Sequence, residues 1–372
     1  MKLLLIGPYP PPHGGISVHV AEAKKQLDQA GVCCRILNLN RSAPKSDQYI
    51  CFRSSLELLL ILLSHAWRGW TFHLHTNGHN RKSWLLALAC GLVGQLAPAC
   101  LLTVHSGMAP VYLSQENVWQ RRLARATCLL YDRVVAVNHQ IRGALASAGV
   151  SPDRLEVVPA YLSTAPPAAL LATLPATLEE LVREARPLLT TVLFYRPEYG
   201  FDLLVHALGR LRCRYPNLRC LVMGSGEQQD EAERLIQKKG MEDTVKLLGD
   251  LPHELCLALI AASDLFVRPT LKDADSISVR EALSLGVPAV VSDVGHRPPG
   301  ALLFRAGDRN DLVSTMEAAL ATPRWTRTGM AAQPMPVADT HRLLEIYNQN
   351  ENPSRDRDGA ATQPATASGG QR

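Results

Sequence analysis

Two carboxylates, Asp273 and Glu281, stand eight positions apart in DADSISVREALSLGVPAVVSD, residues 273–293, around what reads as the start of a helix near Ser278. A helix start presents amide N–H groups with no intrahelical partner, so it attracts an anion such as a diphosphate. The backbone of Asp275, Ser276 and Ile277 would supply such amides, with Asp273 in the loop before them and Glu281 in the first turn. The two carboxylates can then accept hydrogen bonds from hydroxyls on either side of the anion. Taken singly, Glu281 is better explained as first-turn helix stabilisation and Asp273 as a solvated loop acid. Asp273-Ala274-Asp275 also invites a different chemistry, a metal held by an Asp-x-Asp pair.

A second stretch, GPYPPPHGGISVHV at residues 7–20, puts Gly14 and Gly15 between a short apolar run and a helical pattern. Glycines there let backbone amides approach a phosphate or sugar, with the helix dipole behind them. This is not the dinucleotide fingerprint, because G-x-G-x-x-G is absent and the Gly224-Ser225-Gly226 turn follows a later strand. Histidines His73, His75, His79 and His105 cluster in HLHTNGHN and LTVHSG. His73 and His75 share one face of a strand, as some metal sites require, yet no cysteine or carboxylate nearby completes a ligand set. The expectation is therefore no metal, with His13, His75 and Asn77 on the side of the cleft that receives the second substrate.

These residues need a scaffold, and the hydrophobic pattern supplies one. Short apolar runs (KLLLIG, CCRILNL, TFHLHT, CLLTVHS, RVVAVN) alternate with helical stretches through the first 160 residues. Such alternation predicts a doubly wound parallel sheet. Residues 161–186, rich in Ala, Pro and Thr, read as a linker. The rhythm then restarts, giving a second α/β domain over 187–325 and a helical segment over 326–351 that packs back on the first domain. A polar tail over 352–372 reads as disordered. Two such domains form a cleft between the carboxyl ends of their sheets, where ligands of open α/β sheets bind.

Composition is that of a soluble globular protein: 372 residues, 47% apolar, 20% charged. Aromatics at 5% disfavour a nucleic-acid stacking surface. MKLLLIG stops at Pro8, too short for a secretory leader, and the apolar stretch 84–104 is interrupted by Gln95 and Pro98, which argues against a transmembrane span. Nine cysteines without a C-x-x-C pair read as reduced cytoplasmic thiols. Residues 1–160 hold 16 Lys/Arg against 8 Asp/Glu, with Arg121, Arg122, Arg125 and Arg133 close together. That cluster reads as a solvated helix face, or as a surface drawn to anionic lipid or a diphosphate-linked acceptor.

With GPYPPPHGG, LTVHSG, PEYGFDLLVHAL, VMGSGE, VKLLGDLPHE, ASDLFVRPT and REALSLGVPAVVSDVG together, the chain resembles the GT-B-fold retaining glycosyltransferases of family 4 over roughly residues 1–320. The resemblance implies transfer of a hexose-type sugar from a nucleoside diphosphate sugar to a glycan or lipid-linked acceptor. It implies retention of anomeric configuration and no essential metal or other cofactor, the Asp-x-Asp metal pair belonging to a different transferase architecture. It places Asp273 on the donor sugar, Glu281 on the ribose, Asp275, Ser276 and Ile277 on the sugar and distal phosphate, and Gly14 and Gly15 beside the diphosphate. Gly224 falls on the donor side and His105 near the reacting sugar. The family's Arg and Lys, which neutralise the leaving diphosphate, are replaced here by Phe194 and Tyr199. Arg196 is the expected substitute, with Arg268 and Arg280 as further candidates. Two other readings stay open: a sugar-nucleotide 2-epimerase on the same architecture, and a non-catalytic nucleotide-sugar-binding partner of another transferase.

Overall fold

The structure is a computed structural model that describes residues 1–158, 167–273, 276–295, 297–321 and 340–351. The first domain opens with β1 (Lys2–Gly7), α1 (Gly15–Gln29), β2 (Cys33–Asn38), α2 (Ser55–Trp67) and β3 (Thr71–Thr76). It continues through α3 (Arg81–Gly94), β4 (Cys100–Val104), α4 (Ala109–Tyr112), α5 (Val118–Cys128), β5 (Arg133–Ala136), α6 (His139–Ser147) and β6 (Leu155–Val157). Its six parallel strands lie in the order β2-β1-β3-β4-β5-β6.

The connection carries two short helices, α7 (Pro167–Leu171) and α8 (Ala176–Glu184). The second domain begins with β7 (Leu188–Val192), α9 (Phe201–Leu211), β8 (Arg219–Met223), α10 (Gln229–Lys238) and β9 (Val245–Gly249). Next come α11 (His253–Ala262), β10 (Leu265–Arg268), α12 (Ile277–Ser284), β11 (Ala289–Ser292), β12 (Leu302–Phe304) and α13 (Arg309–Ala321), and α14 (Thr340–Glu351) closes the described chain. The second sheet is also parallel, ordered β12-β11-β10-β7-β8-β9. Two doubly wound α/β domains, each built on a parallel sheet, are the GT-B architecture that the sequence leads one to expect.

Alternation along each strand explains the layering. Leu4 and Ile6 of β1 join Phe72, Leu102 and Val134 under α2, α3 and α5, whereas Leu3 and Leu5 face the opposite way, toward α1 and α14. Leu343, Ile346 and Tyr347 of α14 belong to that second cluster, so the end of the described chain packs on the first domain. Arg342 reinforces it with an ion pair to Glu156 at 2.9 Å. The stretch read as a linker is not an open tether where it is described: Leu178, Leu181 and Val182 of α8 pack on the second domain's core. Residues 161–166 of that stretch, and the tail from 352, lie outside the described residues.

Each sheet has a point where strand order reverses, between β1 and β3 in the first and between β10 and β7 in the second. Crevices open at such points, outside the carboxyl ends of the strands. The loops after β1, β3 and β4 face those after β7, β8, β9 and β10 across one cavity.

Candidate active site

That cavity encloses about 400 Å³. His13, Gly14, Gly15, Asn77 and His105 line it from the first domain, and Gly224, Arg268, Asp273, Ser276, Ile277 and Glu281 from the second. The structure therefore brings together residues more than 250 positions apart in the chain. Another depression, about 730 Å³ and lined by Lys24, Asp28, Arg35 and Tyr49, gathers none of them.

Two helix N-termini converge on the cavity. α1 starts at Gly15 with Gly14 as its cap, and the Gly14 amide donates to Ser17 Oγ at 2.8 Å. α12 starts at Ile277, one residue earlier than the sequence pattern suggests, with Ser276 extended before it. Both contribute first-turn N–H groups, and their dipoles add positive potential from opposite walls. A Cβ on Gly14 would come within 3.2 Å of Phe194, and one on Gly15 within 3.8 Å of Ile277, so the glycine loop packs directly on the second domain. His13 ties the same loop across the cleft: its amide donates to Asp250 Oδ1 at 3.1 Å and its ring Nδ1 lies 3.2 Å from Asp250 Oδ2. His13 lines the cavity as expected of an acceptor-side residue, with its ring Nδ1 turned to the opposing domain.

Glu281 is 5% exposed and pairs with His253, Oε1 to Nε2, at 2.6 Å. Burial lowers the imidazole pKa, but the adjacent Glu281 carboxylate outweighs it and leaves the His253 pKa above 6.5. The pair keeps one carboxylate oxygen engaged while Glu281 as a whole lines the cavity. The stability from this pair is fully present below pH about 6.5, the unfolded histidine's value, and is lost as pH rises through the raised folded value. In an NMR titration His253 should titrate above the free-histidine value in the native protein. In Glu281→Gln, where only the lesser pull of the Glu22 and Glu254 carboxylates opposes burial, it should titrate below its native value.

Asp273 does not stand open. Its Oδ2 accepts from Arg268 Nε at 3.1 Å, Arg297 Nη1 at 3.1 Å and the Thr270 hydroxyl at 3.2 Å. Arg268 also donates to the Val192 carbonyl and lies over the Tyr199 ring, 4.9 Å from its centroid. Tyr199 occupies the position where the resembling family has Lys, and the positive charge reaches the same wall from β10 instead. Arg196, expected to replace the missing cation, does not line the cavity. Its side chain is about half exposed and approaches Glu227 at 4.0 Å. Arg280 is buried outside the cavity wall. Arg297, which no spacing in the sequence marked, donates to Ser292 O and Oγ as well as to Asp273, so it positions that carboxylate.

On the first domain, His75 is 1% exposed and sits behind His105, its Nδ1 3.0 Å from His105 Nε2. The expectation that His75 meets the acceptor is corrected: the inward side of β3 places it in the second row, where it orients His105. His73 continues the stack, bonded to Thr103 Oγ1 at 2.7 Å and to Tyr347 Oη at 2.5 Å. Burial and the neighbouring imidazoles hold His75 and His105 well below the usual histidine pKa, so both are neutral at pH 7. His105 can therefore donate or accept a hydrogen bond but carries no charge. His19 on α1, also buried, joins them: single nitrogens of His19, His75 and His105 lie within 4.8 Å of one another. The sequence offered no third ligand beside the strand histidines, because His19 comes from the helix packed across them.

Asn77 lines the cavity and accepts from the His79 amide at 3.3 Å, while His79 Nδ1 meets Ser106 Oγ at 2.8 Å. Gly224, at φ +127°, has no room for a side chain, since a Cβ would lie 1.9 Å from the Leu193 carbonyl oxygen. Gly224→Ala should cost at least about 3 kcal/mol, read as a lowered unfolding midpoint in calorimetry. Ala274 and Asp275 lie outside the described residues.

Comparison with known proteins converges with this geometry. Residues 13–164 match the family described as Glycosyltransferase Family 4 and residues 179–299 match Glycosyl transferases group 1. The phosphatidylinositol N-acetylglucosaminyltransferase gpi3 subunit of Schizosaccharomyces pombe is 24% identical over 66% of this chain and 52% of its own length. A GDP-mannose-dependent alpha-(1-6)-phosphatidylinositol monomannoside mannosyltransferase of Mycolicibacterium smegmatis is 26% identical over 44% of each chain. The chain spans about half the length of the curated relatives it matches. Among solved structures, Anabaena HepE in complex with UDP and glucose superposes with TM-score 0.67 at 16% identity, over 94% of this chain and 100% of that one. Sucrose-phosphate synthase of Thermosynechococcus elongatus gives TM-score 0.68 at 20% identity over 94% and 99%.

Proposed function

Because the chain belongs to the GT-B-fold glycosyltransferases of family 4, we propose that it moves a hexose-type sugar from a nucleoside diphosphate sugar to a lipid-linked acceptor, retaining anomeric configuration and using no divalent metal. The observation that carries this reading is the convergence of two helix N-termini and Arg268 on one interdomain cavity. A diphosphate seated there meets amides from both domains and a guanidinium, which is the stabilisation a departing nucleoside diphosphate needs. Glu281 would hold the ribose hydroxyls, and Asp273, clamped by Arg268 and Arg297, would accept from a hydroxyl of the donor sugar. Gly14, Gly15, Ser276 and Ile277 would supply the anion-facing backbone, and neutral His105 a hydrogen bond at the reacting sugar. In a front-face displacement the bond from the anomeric carbon to the diphosphate oxygen breaks as the acceptor oxygen bonds the same face. The acceptor proton passes to the leaving phosphate, so no side-chain base is required.

The lipid-linked acceptor is favoured over a soluble glycan because both relatives named above act, by their names, on phosphatidylinositol compounds. The test is incubation of purified protein with a panel of nucleotide sugars, with and without lipid-linked acceptors. Acceptor-dependent release of nucleoside diphosphate, unchanged by chelation and giving a product of unchanged anomeric configuration, supports the reading. Isomerisation at C2 without acceptor, or binding with no turnover on any acceptor, would overturn it. Activity abolished by chelator and restored by manganese would remove the metal-free mechanism.

A further inference from the structure

Helices α2, α3 and α5 lie side by side on one face of the first sheet, their inner sides filled by Leu62, Trp84 and Cys128. Their outer sides are not polar, as the outer side of a surface helix ordinarily is. On α2 the outward stripe reads Leu56, Leu60 and Trp67, with Leu56 65% and Trp67 85% exposed. On α3 it reads Leu85 and Leu92, continued by Leu96 just beyond the helix. On α5 and its end it reads Val118, Trp119 and Leu129, Trp119 being 72% exposed. Most of the large exposed apolar side chains of the described residues therefore fall on this one face.

The charges on the same face are mostly positive. Among residues of these three helices Glu57 is the sole acid, and its carboxylate is engaged by the Arg53 amide at 2.7 Å. Arg53 and Arg68 flank α2, Arg81 and Lys82 open α3, and Arg122 and Arg125 lie on the outer side of α5. Among the described residues none of these six cations is in an ion pair with a carboxylate. Arg122 lies over the Trp119 ring at 5.4 Å, joining an aromatic anchor to a positive charge. No helix among the described residues is long and apolar enough to cross a bilayer. The combination of exposed leucines, tryptophans and unpaired cations is that of a surface lying on anionic headgroups with its apolar side chains among the upper acyl carbons.

We propose that the outer face of α2, α3 and α5 is a docking surface for an anionic lipid bilayer. It opens onto the cleft, because Asn77 and His79, which line the cavity, stand only a few residues before Arg81 and Lys82. A lipid-linked acceptor held at this surface has its polar head at the cavity mouth. The surface stands on its own residues, and only its use in presenting acceptor rests on the transferase reading.

The test is flotation with phosphatidylcholine vesicles with and without phosphatidylglycerol, together with UDP and GDP binding as an independent readout. The chain should float with the anionic vesicles alone, and salt should weaken it. Leu60→Asp with Leu92→Asp should reduce partitioning roughly tenfold or more, and each of Arg81→Gln and Arg122→Gln about fivefold, with nucleotide binding unaltered. Failure of the native chain to float, or variants floating as well as the native chain, overturns the proposal. So does self-association abolished by Leu60→Asp without vesicle binding, which would make this face a contact between copies. Flotation without sugar transfer would uphold the surface and sink the lipid-acceptor reading instead.

Discussion

Arg268→Ala should lower turnover about 10²–10³-fold, a loss of roughly 3–4 kcal/mol of transition-state stabilisation, while Arg196→Ala stays near the native rate. Arg268 is a cation on the cavity wall, 8% exposed and fixed by Val192, Tyr199 and Asp273. A guanidinium held that firmly reorganises little as charge develops on a leaving diphosphate. Arg196 is exposed and off the wall. Because Arg268 also anchors Asp273, Arg268→Lys serves as the control: it keeps the charge and loses the forked contacts, so it should fall between the two. Steady-state release of nucleoside diphosphate, with circular dichroism to verify folding, gives the answer. Equal effects of Arg268→Ala and Arg196→Ala would remove Arg268 from its role.

Glu281→Ala should weaken donor binding by about 10–100-fold, the worth of one or two hydrogen bonds to a charged acceptor, with a smaller effect on kcat. The variant removes the carboxylate proposed for the ribose and leaves His253 buried without its counter-charge. His253→Ala separates these contributions. It removes the imidazole but keeps the acid, so it should cost less affinity than Glu281→Ala if the carboxylate itself meets the nucleoside. Calorimetric titration with UDP and GDP reads both variants. Native affinity in Glu281→Ala would show that the acid serves only the His253 pair.

Much of the scaffold was legible because its determinants are local. Apolar runs of strand length alternating with amphipathic helices specify two parallel sheets, and the central strands of each then bring their carboxyl ends to the cleft. The glycine loop at Gly14-Gly15 and the Asp273–Glu281 spacing were legible for the same reason, since each lies within one strand-to-helix turn. The restarted rhythm after residue 186 announced the second domain. The Ala/Pro-rich stretch before it concealed α8, whose apolar positions acquire meaning only against a core they cannot see in sequence.

Residue types and local spacing were enough for the family, the architecture and the two turns proposed to hold the anion. Which cation and which histidine reach the cavity was settled only when the elements packed. Arg268, the proposed replacement for the cation missing at Tyr199, reaches that position because β10 lies beside β7, bringing residues 69 positions apart into ring contact. His75 is a supporting residue and His105 a wall residue because one faces inward on β3 and the other follows β4 at the cleft. His253 meets Glu281 across 28 positions, and His19 meets the strand histidines from a helix. Pairings of this kind depend on how elements rotate and stack, a property of the packed chain that no local spacing encodes.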